Sequence, residues 1–299
     1  MDWNQAIEEY KSYLKIERGL SLNSIVSYEN DIISLKDYIL KNKITKSPIE
    51  CNPDTINSFI YNSSKKNNPR SQARKISGLK SFFKFLVFEG YLKSSPMSNI
   101  ESPKLGRKLP DILNIEEISM MINSIDINEK FGQRNKTIIE ILYGTGIRVS
   151  ELIELKISNI FFKENLIRVV GKGDKERFVP LGMQAKKSIN DYISNKRNHQ
   201  KIEESSNDIL ILNKYGKKIT RHMIFTIIKN ISKKSGITKK ISPHTFRHSF
   251  ASHLLKNGAD LRSIQLILGH ENITTTEIYT HLDSKHLLNV MKKYHPRAE

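Results

Sequence analysis

Tyr279, in the segment ITTTEIYTHL, is the residue of this chain whose chemistry depends most on its neighbours. A tyrosine hydroxyl can attack a phosphodiester and hold the phosphate covalently, so that the bond can be passed on without hydrolysis. With a phenol pKa of about 10, it does so at neutral pH only where cations or a base help remove its proton. Tyr279 is one of 11 tyrosines, most of which will be amphipathic packing residues, so its companions decide the matter.

Two arginines and two histidines are the candidate companions. Arginine suits the non-bridging oxygens of a phosphate, because its planar fork donates bidentately and keeps its charge at any working pH. Arg148 follows the small loop GTG at the expected start of a helix, where backbone N–H groups and the helix dipole could add to an anion site. GTG is not a Walker A motif and is a weak signal by itself. Arg247 lies in PHTFRHSFASHLL three residues after His244, so on a helix base and clamp share one face. His270, in LILGHENITTT, precedes Tyr279 by nine residues, near enough for a loop and helix to bring both to one phosphate. His244 and His248 are also four apart, as zinc-binding histidines can be, but no glutamate stands between them as in a zinc protease, no cysteine pair accompanies them, and Arg247 would set a fixed charge beside the metal. No metal ligand is assigned.

The elements that must position these residues are mainly helical. In the first hundred residues the clearest pattern is Ser71–Leu92, where Ile76, Leu79, Phe82, Phe83, Leu86 and Val87 make one apolar stripe. Arg70, Arg74, Lys80 and Lys84 fall largely outside it, free to face either solvent or a phosphate backbone. The segment SSPMSNIESPKLGRKLPDIL, with Pro96, Pro103 and Pro110, disfavours continuous helix and predicts an extended connection. The expected domains are residues 1–107, helical and including the linker, and residues 108–299. The second opens with helical patterning in NIEEISMMINSI and NKTIIEILYGTGIRVSELIEL. ENLIRVVGKGDKERFVPL follows, alternating and turning like a β-hairpin at Gly171, Gly173 and Asp174. The fold class is therefore mainly α with a small β element.

Composition points to a polyanionic partner. Lys and Arg number 49 against 31 Asp and Glu, a formal net charge of +18. Residues 1–107 carry 17 basic and 11 acidic side chains and residues 108–299 carry 32 and 20, so both halves are suited to gripping one nucleic-acid duplex. No stretch approaches the roughly 20 apolar residues of a membrane span and the opening MDWNQAIEEY is not a signal peptide, so a cytoplasmic protein is expected. The single cysteine, Cys51, excludes an internal disulfide framework and gives redox chemistry no support.

GTGIRVSEL, GKGDKERFVP, PHTFRHSFASHLL and LGHENITTTEIYTH, in this order, resemble the tyrosine recombinases, or phage integrase family, over nearly the whole chain. The length and the closing YHPR, Tyr294 to Arg297, are most similar to its bacterial Xer branch. The resemblance implies an N-terminal helical core-binding domain and a C-terminal catalytic domain closing around DNA. It implies that Tyr279 forms a 3′-phosphotyrosyl link and releases a 5′-hydroxyl, with Arg148 and Arg247 holding the transition-state oxygens. Lys172, otherwise an ordinary turn lysine, would protonate the leaving 5′-oxygen. His244 would assist proton transfer at the tyrosine, His270 would donate to the phosphate, and Glu151 would orient the arginine from behind. No cofactor is implied. The implied task is site-specific recombination at a short, partly palindromic site, resolving chromosome or plasmid dimers at cell division, as a tetramer with itself or a related recombinase and with a septal DNA translocase as partner. Leu287, Leu288 and Met291 in the tail would let a terminal helix bury itself in a neighbouring subunit. A mobile-element integrase and a type IB topoisomerase share the chemistry. A non-catalytic regulator reading DNA through NGADLRSIQLILGH would not need Tyr279, Lys172 and two paired Arg–His sites.

Overall fold

The computed structural model describes residues 1–44, 47–65, 67–103, 106, 111–171, 175–269 and 281–298, the side chains of 281–283 excepted. The chain divides into two compact units, Met1–Lys108 and Leu109–Glu299.

Among its described residues the first unit contains four α-helices, with a polar cap or an N-terminal proline at most starts. Asp2 accepts from Asn4 N and Gln5 N at the head of α1 (Trp3–Ile16). α2 spans Leu22–Lys41. Asn52 and Asn68 cap α3 (Pro53–Ser64) and α4 (Pro69–Phe88), each with proline in its first helical position, where the missing N–H costs nothing. Trp3, Tyr10, Ile32, Leu35, Phe82 and Phe83 share the core. The apolar stripe of α4 is buried from Ile76 to Leu86, with Val87 half-buried. Of the basic residues outside it, Arg74 is partly committed: it forks onto Asp31 of α2, with Nη1–Oδ2 2.8 Å and Nη2–Oδ1 2.6 Å. Asp31 is a buried carboxylate that needs this partner.

In the second unit, α5 (Ile115–Asn123) starts at a reciprocal cap, Glu117 N donating to Asn114 Oδ1 and Asn114 N to Glu117 Oε2. α6 (Gly132–Thr145) is the central helix, buried all round from Thr137 onwards. A helix of this kind has no polar face to show solvent. α7 (Val149–Ile153) follows, then the antiparallel sheet β1 (Ile160–Phe161), β2 (Leu166–Val170) and β3 (Glu176–Pro180), in the order β1-β2-β3. β2 and β3 form the expected hairpin with Ile167 opposite Val179 and Val169 opposite Arg177, and its tip, residues 172–174, lies outside the described residues. The two-residue β1 is too short to leave a period in the sequence. α8 (Met183–Asn195) and α10 (Pro243–Lys256) pack on α6, and α9 (Arg221–Lys234), α11 (Leu261–Leu268) and α12 (His281–Tyr294) complete the unit.

In the single chain Leu287, Val290 and Met291 of α12 sit in the core of their own unit, burial that an amphipathic helix obtains as readily in cis as in trans. Arg297 then closes the chain onto α6, its Nε donating to Glu140 Oε2 at 3.0 Å. No helix of the described residues is long and apolar enough to cross a membrane.

Candidate active site

The C-terminal end of α11 organises the site. Asp260 caps the start of this helix through Ser263 N, and Gly269 ends it in the left-handed region at φ 66°. The last carbonyls of a helix have no partner within it and carry the negative end of its dipole. Here three consecutive ones each accept from a different arginine. Ile267 O accepts from Arg177 Nε at 3.0 Å, Leu268 O from Arg247 Nη2 at 2.7 Å, and Gly269 O from Arg148 Nη2 at 3.0 Å. A side chain at Gly269 would press on Arg177, since a Cβ there would come within 2.9 Å of its Cδ and Nε.

Each arginine arrives from a different element. Arg247 is the fifth residue of α10 and is buried; its Nη1 also donates to Gly146 O at 2.8 Å. Arg177 comes from β3, where it takes a core-facing place in line with Val179. Arg148 stands between α6 and α7, two residues past Gly146, whose left-handed φ of 63° stops α6. The structure corrects the loop expected there: Gly144 and Thr145 still belong to α6, and only Gly146 turns the chain. It also limits what the helix start can offer. α7 has five residues, and the Arg148 N–H that would greet an anion donates instead to Glu151 Oε2 at 2.8 Å.

Glu151 ties the arginines together. Its Oε1 accepts from Arg148 Nη1 at 3.0 Å and from Arg177 Nη1 at 2.8 Å, and its Oε2 accepts from Arg177 Nη2 at 2.9 Å. Burial pushes this carboxyl up, but the bonds and charges of Arg177 and Arg148 outweigh burial and hold it below the usual carboxylate range. Three arginines thus face one carboxylate among the described residues, a surplus of positive charge. Arg247 feels that surplus: burial, then repulsion from Arg148 and Arg177, brings its guanidinium down to about 10, still protonated at neutral pH. Of the five N–H donors of a guanidinium, Arg148 and Arg247 each commit two to the described residues, leaving the others for an anion.

His244, the second residue of α10, is exposed one turn before Arg247. Partial burial, then the charges of His248, Arg247 and Arg148, lower its pKa, which favours the neutral imidazole that can accept a proton. The structure therefore brings Arg148, Arg247 and Glu151 together, with His244 within reach of their charge. Lys172, His270 and Tyr279 lie outside the described residues, although Gly171 and Gly269, the neighbours of two of them, are part of the cluster. Arg177 was not singled out from the sequence. Its signal was there: in a strand whose alternate residues face the core, it is the charged residue in phase with Val179.

Comparison with known proteins bears on the family and the fold. Residues 112–286 match the phage integrase family, and residues 7–90 match the phage integrase N-terminal SAM-like domain. Tyrosine recombinase XerD of Listeria monocytogenes is 42% identical over 296 residues, covering 99% of this chain and 100% of that protein. The protein of the same name from Staphylococcus aureus strain N315 is 40% identical over 299 residues, covering 98% and 99%. Among solved structures, the XerH site-specific recombinase bound to palindromic difH substrate superposes with a TM-score of 0.71 at 24% identity, covering 96% of this chain and 84% of that one, a likeness of fold.

Proposed function

The chain belongs to the phage integrase family of tyrosine recombinases, and from that membership we propose a residue-by-residue mechanism for its DNA strand exchange. The observation that carries it is the surplus of positive charge at the end of α11. A phosphodiester has one negative charge, and attack by a phenolate adds a second in the trigonal-bipyramidal transition state. A preorganised site two charges in excess stabilises that state more than the ground state, and this difference is what accelerates the reaction.

In this reading Tyr279 Oη attacks the scissile phosphorus while His244 takes its proton. The P–O5′ bond breaks, and Lys172 gives a proton to the departing 5′-oxygen, leaving a 3′-phosphotyrosyl link and a free 5′-hydroxyl. Arg148 and Arg247 hold the non-bridging oxygens, His270 donates to one of them, and Glu151 keeps Arg148 in place. Attack by the 5′-hydroxyl of another strand reverses the steps, so no cofactor is consumed. Residues 1–107 bind the core of the site and residues 108–299 carry out catalysis. By analogy with the XerD relatives, the protein works in the cytoplasm on chromosome or plasmid dimers at cell division. It assembles as a tetramer on DNA with itself or an XerC-like recombinase, with a DNA translocase of the septum as further partner.

The test is a nicked suicide DNA carrying the host's candidate recombination site, incubated with wild type and with Tyr279→Phe and resolved on a denaturing gel. A covalent adduct with wild type alone is expected. An adduct that persists with Tyr279→Phe would remove Tyr279 from the mechanism.

A further inference from the structure

Arg177 has a role that the proposed mechanism leaves open. Its three kinds of guanidinium nitrogen are all engaged, Nε with Ile267 O and the two Nη atoms with the two oxygens of Glu151, and the side chain is buried. The hairpin does not require these bonds to form, because β3 is already paired to β2 from Leu166–Pro180 to Val170–Glu176. They lead out of the sheet, to α7 and to the end of α11. At the far end of the hairpin Gly171 N donates to Lys175 O at 2.8 Å, and a Cβ on Gly171 would lie 3.8 Å from both Arg177 Nη1 and Glu151 Oε1. The Arg177–Glu151 pair therefore sits against the residue that precedes Lys172, and Arg177 also lies beside Gly269, the residue that precedes His270, close enough that a Cβ there would come within 2.9 Å of it.

We infer that Arg177 is a positioning residue: one guanidinium sets the hairpin that leads into Lys172 against the Arg148–Glu151 pair and the end of α11, so that proton donor and phosphate clamp share one frame. The inference rests on Lys172 being the proton donor. A lysine at 177 keeps the charge but has no planar fork with which to hold a carboxylate and a carbonyl at once. A shift of about 1 Å in a reacting group costs on the order of 100-fold in rate. The loss should fall on the step that uses Lys172, namely proton transfer to the leaving oxygen.

A DNA whose scissile 5′-oxygen is replaced by sulfur isolates that step. The P–S bond breaks with its electron pair going to sulfur, and a thiol, with pKa about 8.5, leaves as the thiolate without a proton donor. For each protein the single-turnover cleavage rate on the sulfur substrate is divided by that on the oxygen substrate, so the folded fraction cancels. Lys172→Ala should raise this ratio over wild type by ~100-fold or more, the scale of a lost general acid. Arg177→Lys should raise it by roughly 10-fold or more, the scale of a misplaced one. Arg148→Ala should slow both substrates alike. A wild-type ratio for Arg177→Lys beside a raised ratio for Lys172→Ala overturns the inference alone. Wild-type ratios for both overturn the assignment of Lys172 and the inference with it.

Discussion

Asp31 in the first unit and Glu151 in the second are both buried carboxylates forked by an arginine, yet their acidities move in opposite directions. For Asp31, burial outweighs its forked partner Arg74 and the charge of Lys75 and raises the pKa. For Glu151, burial is outweighed by Arg177 and Arg148 together and the pKa falls. A matched pair of this kind ties two helices together and is chemically quiet. An unmatched cluster keeps positive charge in reserve, and in this molecule the reserve faces the end of α11, where two segments bearing candidate catalytic residues meet. Buried ion pairs are weak evidence of function; a surplus within one is stronger.

The contrast can be broken from either side. Removing reserve charge should cost catalysis most: Arg247→Ala should slow single-turnover cleavage by about 10³-fold, or about 4 kcal/mol of transition-state stabilisation, while DNA binding in a gel-shift assay changes far less. Removing the shared carboxylate should instead cost stability. Glu151→Gln leaves three buried or half-buried guanidiniums facing one another, and urea unfolding should show a loss of about 3 kcal/mol.

A buried group with no charge sharpens the comparison further. His295 lies between the rings of Tyr143 and Phe250, accepts from Arg297 N on Nδ1, and has no hydrogen-bond partner for Nε2 among the described residues. Burial depresses its pKa to about 3, and nearby His253 and Arg297 oppose its charging further. The unfolded chain takes up this proton below about pH 6.5 and the folded chain does not, so stability is lost as pH falls from there towards 3. Between pH 6.5 and 5 that one proton amounts to about 2 kcal/mol, a loss that His295→Asn should largely remove in urea titrations at the two pH values. Asp31→Asn should have the smallest effect, about 1 kcal/mol, because Arg74 is half exposed and screened, and cleavage per bound complex should match wild type.

The helices, the hairpin and the residues of the site were legible to different degrees, for physical reasons. Arg148, Arg247 and His244 could be found because each stands in a segment where its type and spacing suit an anion, whereas Glu151 came only from the family resemblance. Arg177 was hidden by its surroundings, GKGDKER, which read as the solvated charges of a hairpin tip until the register places Arg177 opposite Val169 and facing the core. The break between α6 and α7 was also hard to read, since GTG suggests a loop while only Gly146 leaves the helix. The fate of α12 depends on what covers Leu287 and Met291, and an apolar stripe does not say whether its cover is cis or trans. The same limit hid the role of Glu140, which is the far partner of Arg297 in the closing YHPR.

The most direct test of the central claim, that the arginines serve the charge of the phosphate, replaces one non-bridging oxygen of the scissile phosphate with a methyl group and so removes its charge. Wild type, Arg148→Ala and Arg247→Ala would be compared for covalent adduct formation on phosphate and methylphosphonate DNA. If the reserve charge exists to neutralise the reacting phosphate, each arginine variant should fall far behind wild type on phosphate but come within about 10-fold of it on methylphosphonate. The same deficit on both substrates would contradict the claim and make the cluster a structural knot beside the chemistry.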